Sequence, residues 1–271
     1  MNPALSIGSS TADPSPGESD AGPVPSLRRP HRFRAFSLLE LLVVMAIIVI
    51  MSSLIGPAMN AIRGGGDLTM AAYNISDALQ QARAYAMAQN TFVYVGIKET
   101  DAGKETLDDG TGSIAVAIVA SKNGERPYGQ TPGPLSGSPS AKNPVIPISR
   151  LQKFSNAHLA TAPLSNDGGM ADRETDSSQI VDVVKDAPAA TSFTWPVDGA
   201  NGKQFTRVIE FDPQGVPRVQ TAGTGNIHDI KGWIEIPLQA SHGSAGAGAG
   251  EKNQAAIQLD GMTGAVRVFR P

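Results

Sequence analysis

Between Ala35 and Ile55 the chain reads AFSLLELLVVMAIIVIMSSLI, an apolar run interrupted by one carboxylate, Glu40, and preceded by the basic stretch LRRPHRFR. Nothing else in the sequence narrows the fold as much. As a helix rising 1.5 Å per residue, the run is roughly 30 Å long, about the thickness of a bilayer's hydrocarbon core. The eight Leu, Ile and Val residues between Leu41 and Met51 each favour insertion by roughly 0.3–0.6 kcal/mol, which together offsets a carboxylate costing about 2.5–3.5 kcal/mol at the worst depth. The run therefore inserts in spite of Glu40, and an ionisable group kept at such a cost reads as functional. Arg28, Arg29, Arg32 and Arg34 stand just before the run, with no comparable basic cluster just after it. The positive-inside rule then places residues 1–34 in the cytoplasm and exports the chain beyond Ile55.

A cleaved secretory signal also begins basic and turns apolar, but it needs small residues at a cleavage site beyond the apolar stretch. Ser52, Ser53, Gly56 and Ala58 loosely supply one, whereas Glu40 would interrupt the apolar stretch near its start. Residue chemistry alone leaves both an uncleaved anchor and a cleaved signal open.

Arg34-Ala35-Phe36-Ser37-Leu38-Leu39-Glu40, followed by LLVVMAIIVIMSSLI, resembles the class III signal of type IV pilins and type II secretion pseudopilins. The resemblance implies that a membrane prepilin peptidase cuts between Ala35 and Phe36 on the cytoplasmic side and N-methylates Phe36. Glu40 becomes the fifth mature residue, and Gly56-Pro57 matches a proline common at the twenty-second, where a missing backbone donor kinks or breaks the helix. The family usually has Gly where this chain has Ala35. A methylated amine at Phe36 stays basic, and the family implies that Glu40 of an incoming subunit pairs with the amine of a neighbour, fixing register during assembly. Residues 1–35 form a Pro, Ser and Gly-rich leader that reads as disordered.

Removing that leader, with its four Lys or Arg and three Asp or Glu, leaves a mature charge of −4, a mildly acidic balance that argues against broad nucleic-acid binding. Without cysteine, an exported domain has no disulfide framework and relies on its core or on assembly. The 29 Gly and 20 Pro, with 17 % charged residues, suggest a loop-rich β domain.

Gly64-Gly65-Gly66 is expected to break the helix register, with Asp67 as N-cap of a second helix. Leu68, Ala72, Ile75, Leu79, Ala82 and Ala86 then recur at alternating spacings of four and three, one apolar helical face packed on the domain's own sheet. Strand patterns cover Phe92–Ile97, Ser113–Ala120, Phe193–Trp195, Thr206–Phe211, Trp233–Leu238, Ala255–Leu259 and Ala265–Phe269. Asp212-Pro213-Gln214-Gly215 and Asp260-Gly261-Met262-Thr263-Gly264 are turn sequences joining adjacent strands. The segment ASHGSAGAGAGEKN reads as a flexible loop.

AAYNISDALQQARAYAMAQNTFVYVGI, VIEFDPQGVPRV and AAIQLDGMTGAVRVFRP together resemble minor pseudopilins and minor pilins of the GspH/FimT type. There a helix ending in an Ala-Arg pair, here Ala82-Arg83, runs into a first strand, and the chain closes on a Thr-Gly hairpin, here Thr263-Gly264. The resemblance implies an α+β fold: a long N-terminal helix, membrane-spanning in its first half (36–63), packed on an antiparallel sheet domain (64–271). It hardly covers 121–190, which reads as a loop-rich insertion.

Signals for catalysis are thin. His31, His158, His228 and His242 are isolated, and no i, i+4 zinc pair, GxSxG elbow, Walker loop or Rossmann fingerprint is present. Asp108 and Asp109 lack EF-hand spacing and read as an acidic turn rather than a calcium site. Arg267 and Arg270 flank Phe269, and solvated strand ends are favoured over phosphate contacts. No catalytic residue, metal or cofactor is expected. The resemblance implies a minor pseudopilin of a type II secretion pseudopilus, anchored in the inner membrane with a periplasmic domain. Its partners would be prepilin peptidase, other pseudopilins and the inner-membrane secretion platform. A type IV pilus minor pilin acting in DNA uptake or adhesion, and an anchored binding protein that never polymerises, are the alternatives.

Overall fold

The computed structural model describes residues 37–127, 135, 144–166, 168–184, 191–197, 202–219, 230–241 and 253–271, without the side chains of 54–65. The leader, the cleavage pair Ala35 and Phe36, most of the ASHGSAGAGAGEKN segment, and parts of 121–190 lie outside the described residues. The chain divides into two units, Met1–Met51 and Ser52–Pro271.

One helix, α1 (Leu38–Gln89), crosses from the first unit into the second. It passes through Pro57, so the proline does not end it, and it also passes through Gly64-Gly65-Gly66, where the sequence predicts a break. A glycine in a helix costs about 1 kcal/mol relative to alanine, so the triplet costs about 3 kcal/mol. Against this, Leu68, Ile75 and Leu79 are each 0 % exposed, and burying such side chains contributes roughly 1.5–3 kcal/mol apiece. Tertiary packing thus outweighs local propensity. Asp67 is accordingly inside the helix rather than its N-cap, and its Oδ2 accepts a 2.7 Å hydrogen bond from Asn156 Nδ2. The expected face Leu68, Ala72, Ile75, Leu79, Ala82 and Ala86 is buried in full, widened by Ala71 and Ala78. The helix stops at Asn90, whose φ of 48° is left-handed, and the Thr91 amide closes back on the Ala86 carbonyl at 3.1 Å. That 6→1 bond with Asn at C′ is a Schellman stop.

The strands follow in chain order: β1 (Val93–Asp101), β2 (Gly112–Ser121), β3 (Val145–Pro147), β4 (Gln152–Ser155), β5 (Ala157–Leu159), β6 (Ile180–Asp182), β7 (Phe193–Trp195), β8 (Lys203–Phe205), β9 (Arg207–Phe211), β10 (Pro217–Val219), β11 (Trp233–Ala240), β12 (Gln254–Asp260) and β13 (Val266–Phe269). All seven strand patterns read from the sequence fall on strands, and both turn sequences join hairpins, β9 to β10 and β12 to β13. The fold is α+β. The first sheet has the order β10-β9-β1-β2-β3 with β4 also paired to β2, and the second has β13-β12-β11-β5 with β6 also paired, in parallel, to β11.

The main core draws on the α1 face, on Val93, Val95, Ile97 and Ile114 of the first sheet, and on Ile234, Ile236, Leu238 and Ile257 of the second. The first sheet also buries its other face, where the β7–β8 hairpin stacks Phe193 on Phe205 with centroids 5.3 Å apart. Covering both faces explains why every residue of β2 is buried and why its sequence, GSIAVAIVAS, shows no polar alternation. Gly96 makes the hairpin's approach possible, because a Cβ there would stand 2.6 Å from the Phe193 ring.

The described residues of 121–190 supply strands to both sheets. The chain changes sheet at Asn156, left-handed at φ 58°, between β4 on the first sheet and β5 on the second. Asparagine tolerates that conformation, and its side chain holds Asp67 of α1 while its carbonyl accepts from the Ser241 amide at 3.0 Å.

Candidate functional site

The first turns of α1 are built by Ser37. Its Oγ accepts from the Glu40 amide at 3.1 Å and its carbonyl from the Leu41 amide at 3.2 Å, so Ser37 is the N-cap. Ser37-x-x-Glu40 has the form of a capping box, a local signal that sequence reading missed. Glu40 is solvent-exposed, and a carboxylate in the first turn complements the positive end of the helix. Every large apolar side chain from Leu38 to Met51 is between 47 and 82 % exposed. There is no polar face. A helix apolar all round needs apolar surroundings, either lipid or other chains. Among the described residues no helix is long and apolar enough to cross a membrane, and the run from Ala35 to Ile55 is described only in part. Gly56 and Pro57 lie within the helix, with side chains outside the described residues.

In the second unit the structure brings together Ala82-Arg83, the β9–β10 turn and Thr263-Gly264. Arg83 Nε donates to the Gly215 carbonyl at 3.3 Å. Gly215 and Gly264 have φ of 79° and 70°, and a Cβ on Gly264 would stand 2.4 Å from the Gly215 oxygen and 2.8 Å from Arg83 Nε. A side chain is therefore disfavoured at Gly215 by conformation, and at Gly264 by both conformation and contact. Asp212 and Asp260 each accept two backbone amides of their own turns.

Arg267 and Arg270 are not brought together. Arg267 lies over the Trp233 ring, 5.5 Å from its centroid, whereas Arg270 donates to the Gln254 carbonyl at 3.1 Å and to Asn253 Oδ1 at 3.2 Å. Val266 and Val268 on either side of Arg267 pack on the core, so strand alternation puts Arg267 on the opposite side of β13. Burial lowers the pKa of Arg270 below its ordinary value, with Tyr73 of α1 acting in the opposite direction.

The turn carrying Asp108 and Asp109 is an ion-pair cluster. Asp108 Oδ1 meets Lys203 Nζ at 2.7 Å, and Asp109 pairs with Lys98. Hydrogen bonds from these lysines hold both carboxyls below their ordinary range. Among the described residues no three His, Cys, Asp or Glu side chains are grouped to hold a metal. His31, His228 and His242 lie outside the described residues, and His158 is buried on β5.

A cavity of about 470 Å³ opens between residues 162–182 and β11, lined by Arg173, Thr175, Ser177, Asp182, Glu235 and Pro237 among others. Its charges are consumed internally. Arg173 Nη1 donates to both Glu235 oxygens at 2.8 and 2.7 Å, and Gln258 Nε2 donates to Glu235 Oε2 at 2.7 Å. Gln258 also exchanges hydrogen bonds with the Glu174 backbone, fastening residues 162–182 to the second sheet. Sequence reading missed this pair because Arg173 and Glu235 are 62 residues apart.

Comparison with protein families matches residues 30–56 to the prokaryotic N-terminal methylation motif. No curated protein and no solved structure matches the chain. The matched segment contains the Ser37 cap, Glu40 and the apolar run. The motif supports a type IV pilin-like protein, a structural rather than enzymatic class of subunit, and it implies processing by a prepilin peptidase and assembly with other pilin-like subunits.

Proposed function

We propose that the chain is a minor pseudopilin of a type II secretion pseudopilus. The observation that carries this reading is a methylation motif whose single acid, Glu40, stands in the first turn of a helix with apolar side chains on all sides. Cleavage between Ala35 and Phe36 frees an amine that is methylated and positively charged near neutral pH. In apolar surroundings that amine and a carboxylate are each costly alone and far less so together. Glu40 of one subunit therefore pairs with Phe36 of a neighbour and sets the stagger between them. Gly56 and Pro57 provide a weak point in the backbone hydrogen bonding at the end of the apolar run. The anchor lies in the inner membrane and the 64–271 domain is periplasmic; the partners are other pseudopilins in the filament and the inner-membrane secretion platform. The separation of Arg267 from Arg270 favours secretion over DNA uptake, since two phosphate contacts would need a shared surface.

Two substitutions separate pairing from capping. Glu40→Gln keeps a capping-box residue but removes the charge, whereas Glu40→Val removes both. Both variants should be cleaved normally and both should fail to co-purify with partner pilins. Wild-type co-purification of Glu40→Gln would leave capping as the role of Glu40 and sink the pairing.

A further inference from the structure

At the corner where the chain passes from the first sheet to the second, His158 of β5 in the second sheet faces Glu99 of the first. It is 8 % exposed. Its Nδ1 is 3.5 Å from Glu99 Oε1 on β1 of the first sheet, and its Nε2 is 3.2 Å from Gln239 Oε1 on β11 of the second. Both ring nitrogens thus face oxygen acceptors. A neutral imidazole has one N–H and serves one of them, whereas an imidazolium has two and serves both. Two further atoms show the same imbalance: Glu99 Oε1 and Gln239 Nε2 are buried without a hydrogen-bond partner.

The surrounding charges leave Glu99 in control of the ring. Lys153 of β4 is turned to the Asp101 and Lys104 carbonyls, and Asp67 of α1 is engaged by Asn156. Gln239 and the Leu159 backbone are neutral hydrogen-bonding groups. The Glu99 carboxylate, 3.5 Å from Nδ1, raises the His158 pKa above its ordinary value, outweighing the burial that lowers it.

We propose that His158, Glu99 and Gln239 form a proton-operated latch between the two sheets, closed when the imidazole is charged and released when it is neutral. A histidine whose folded pKa exceeds its unfolded one contributes stability that is fully present below the unfolded value, about 6.5, and is lost as pH rises through the folded value. Above that pH a partly buried carboxylate, its Oε1 out of reach of water, is left beside a neutral ring, so the junction between the sheets loosens in alkali and tightens in acid. The same three groups lie far along the chain from the methylation motif, so the latch does not depend on the proposed role in secretion.

The test is a histidine NMR titration of the ¹⁵N-labelled full-length protein in detergent micelles, with His158 assigned by loss of its signal in His158→Gln. His158 should titrate above about 6.5, and Glu99→Gln should bring it down. The melting temperature of wild type should exceed that of Glu99→Gln by about 2–4 °C at pH 5.5, with the gap closing in alkali. Glu99→Gln retains the ring and a similar shape, so the comparison stands even where His158→Gln does not fold. A His158 that titrates at or below the ordinary value, as a neutral ring with the Gln239 amide reversed would, overturns the latch. So does a pKa unchanged by Glu99→Gln.

Discussion

The two halves of α1 are solutions to different solvents. From Leu38 to Met51 all large apolar side chains are exposed and no polar face exists, whereas from Leu68 to Ala86 one face is buried to within 2 % and the other carries Tyr73, Asp77 and Gln81. The first half, apolar on all sides, depends on apolar surroundings for its stability. The second half is a piece of the domain core, and the core is what carries the helix through three consecutive glycines. A pattern with no period and a pattern with a period of 3.6 therefore mark, within one helix, where the chain's own fold takes over from its surroundings.

The largest effect that sharpens this contrast is Leu79→Ala, expected to cost about 2–5 kcal/mol of domain stability by denaturant unfolding. Leu42→Ala should stay within about 0.5 kcal/mol in the same measurement. Comparable losses from both would mean that domain stability does not depend on the buried face of the second half in particular. Gly96→Ala comes next. It places a methyl against the stacked Phe193 and Phe205, with an expected loss of about 1–3 kcal/mol, and an unchanged unfolding midpoint would show that the β7–β8 hairpin yields easily.

Within the first half, Ser37→Ala removes the N-cap at a cost of about 1 kcal/mol. Amide exchange at Glu40 should then accelerate about fivefold in micelles, the exchange equivalent of that energy. The smallest effect is a gain: Gly66 has nothing within 4 Å of a Cβ and is exposed, so Gly66→Ala should stabilise the helix by about 0.5–1 kcal/mol. A loss there would mean that the glycine triplet is under a constraint other than propensity.

Much of this was legible in the sequence because it is local. Leu68 through Ala86 repeat with the period of one buried face, and the Asp212 and Asp260 turns carry their own hydrogen-bond acceptors. The apolar run names its surroundings by composition alone. The Gly64–Gly66 expectation failed because propensity was weighed without the burial of Leu68, Ile75 and Leu79, which is a tertiary quantity. Asp67 was misplaced for the same reason, since its partner Asn156 is 89 residues away. The Arg173–Glu235 pair and the His158 corner were hidden by long separations, and the strands of 145–182 by their shortness, three or four residues each. Ser37 was different. Its capping box stood in plain view, overshadowed by the more conspicuous glutamate that completes it.

The central claim is that Glu40 belongs to a processed, filament-forming subunit, and processing is its most direct consequence. Intact-mass and N-terminal analysis of the protein purified from its own membranes tests it. The account predicts a chain beginning at N-methylated Phe36, with residues 1–35 gone. A chain that keeps residues 1–35, or one cut beyond the apolar run with Glu40 lost, would contradict it.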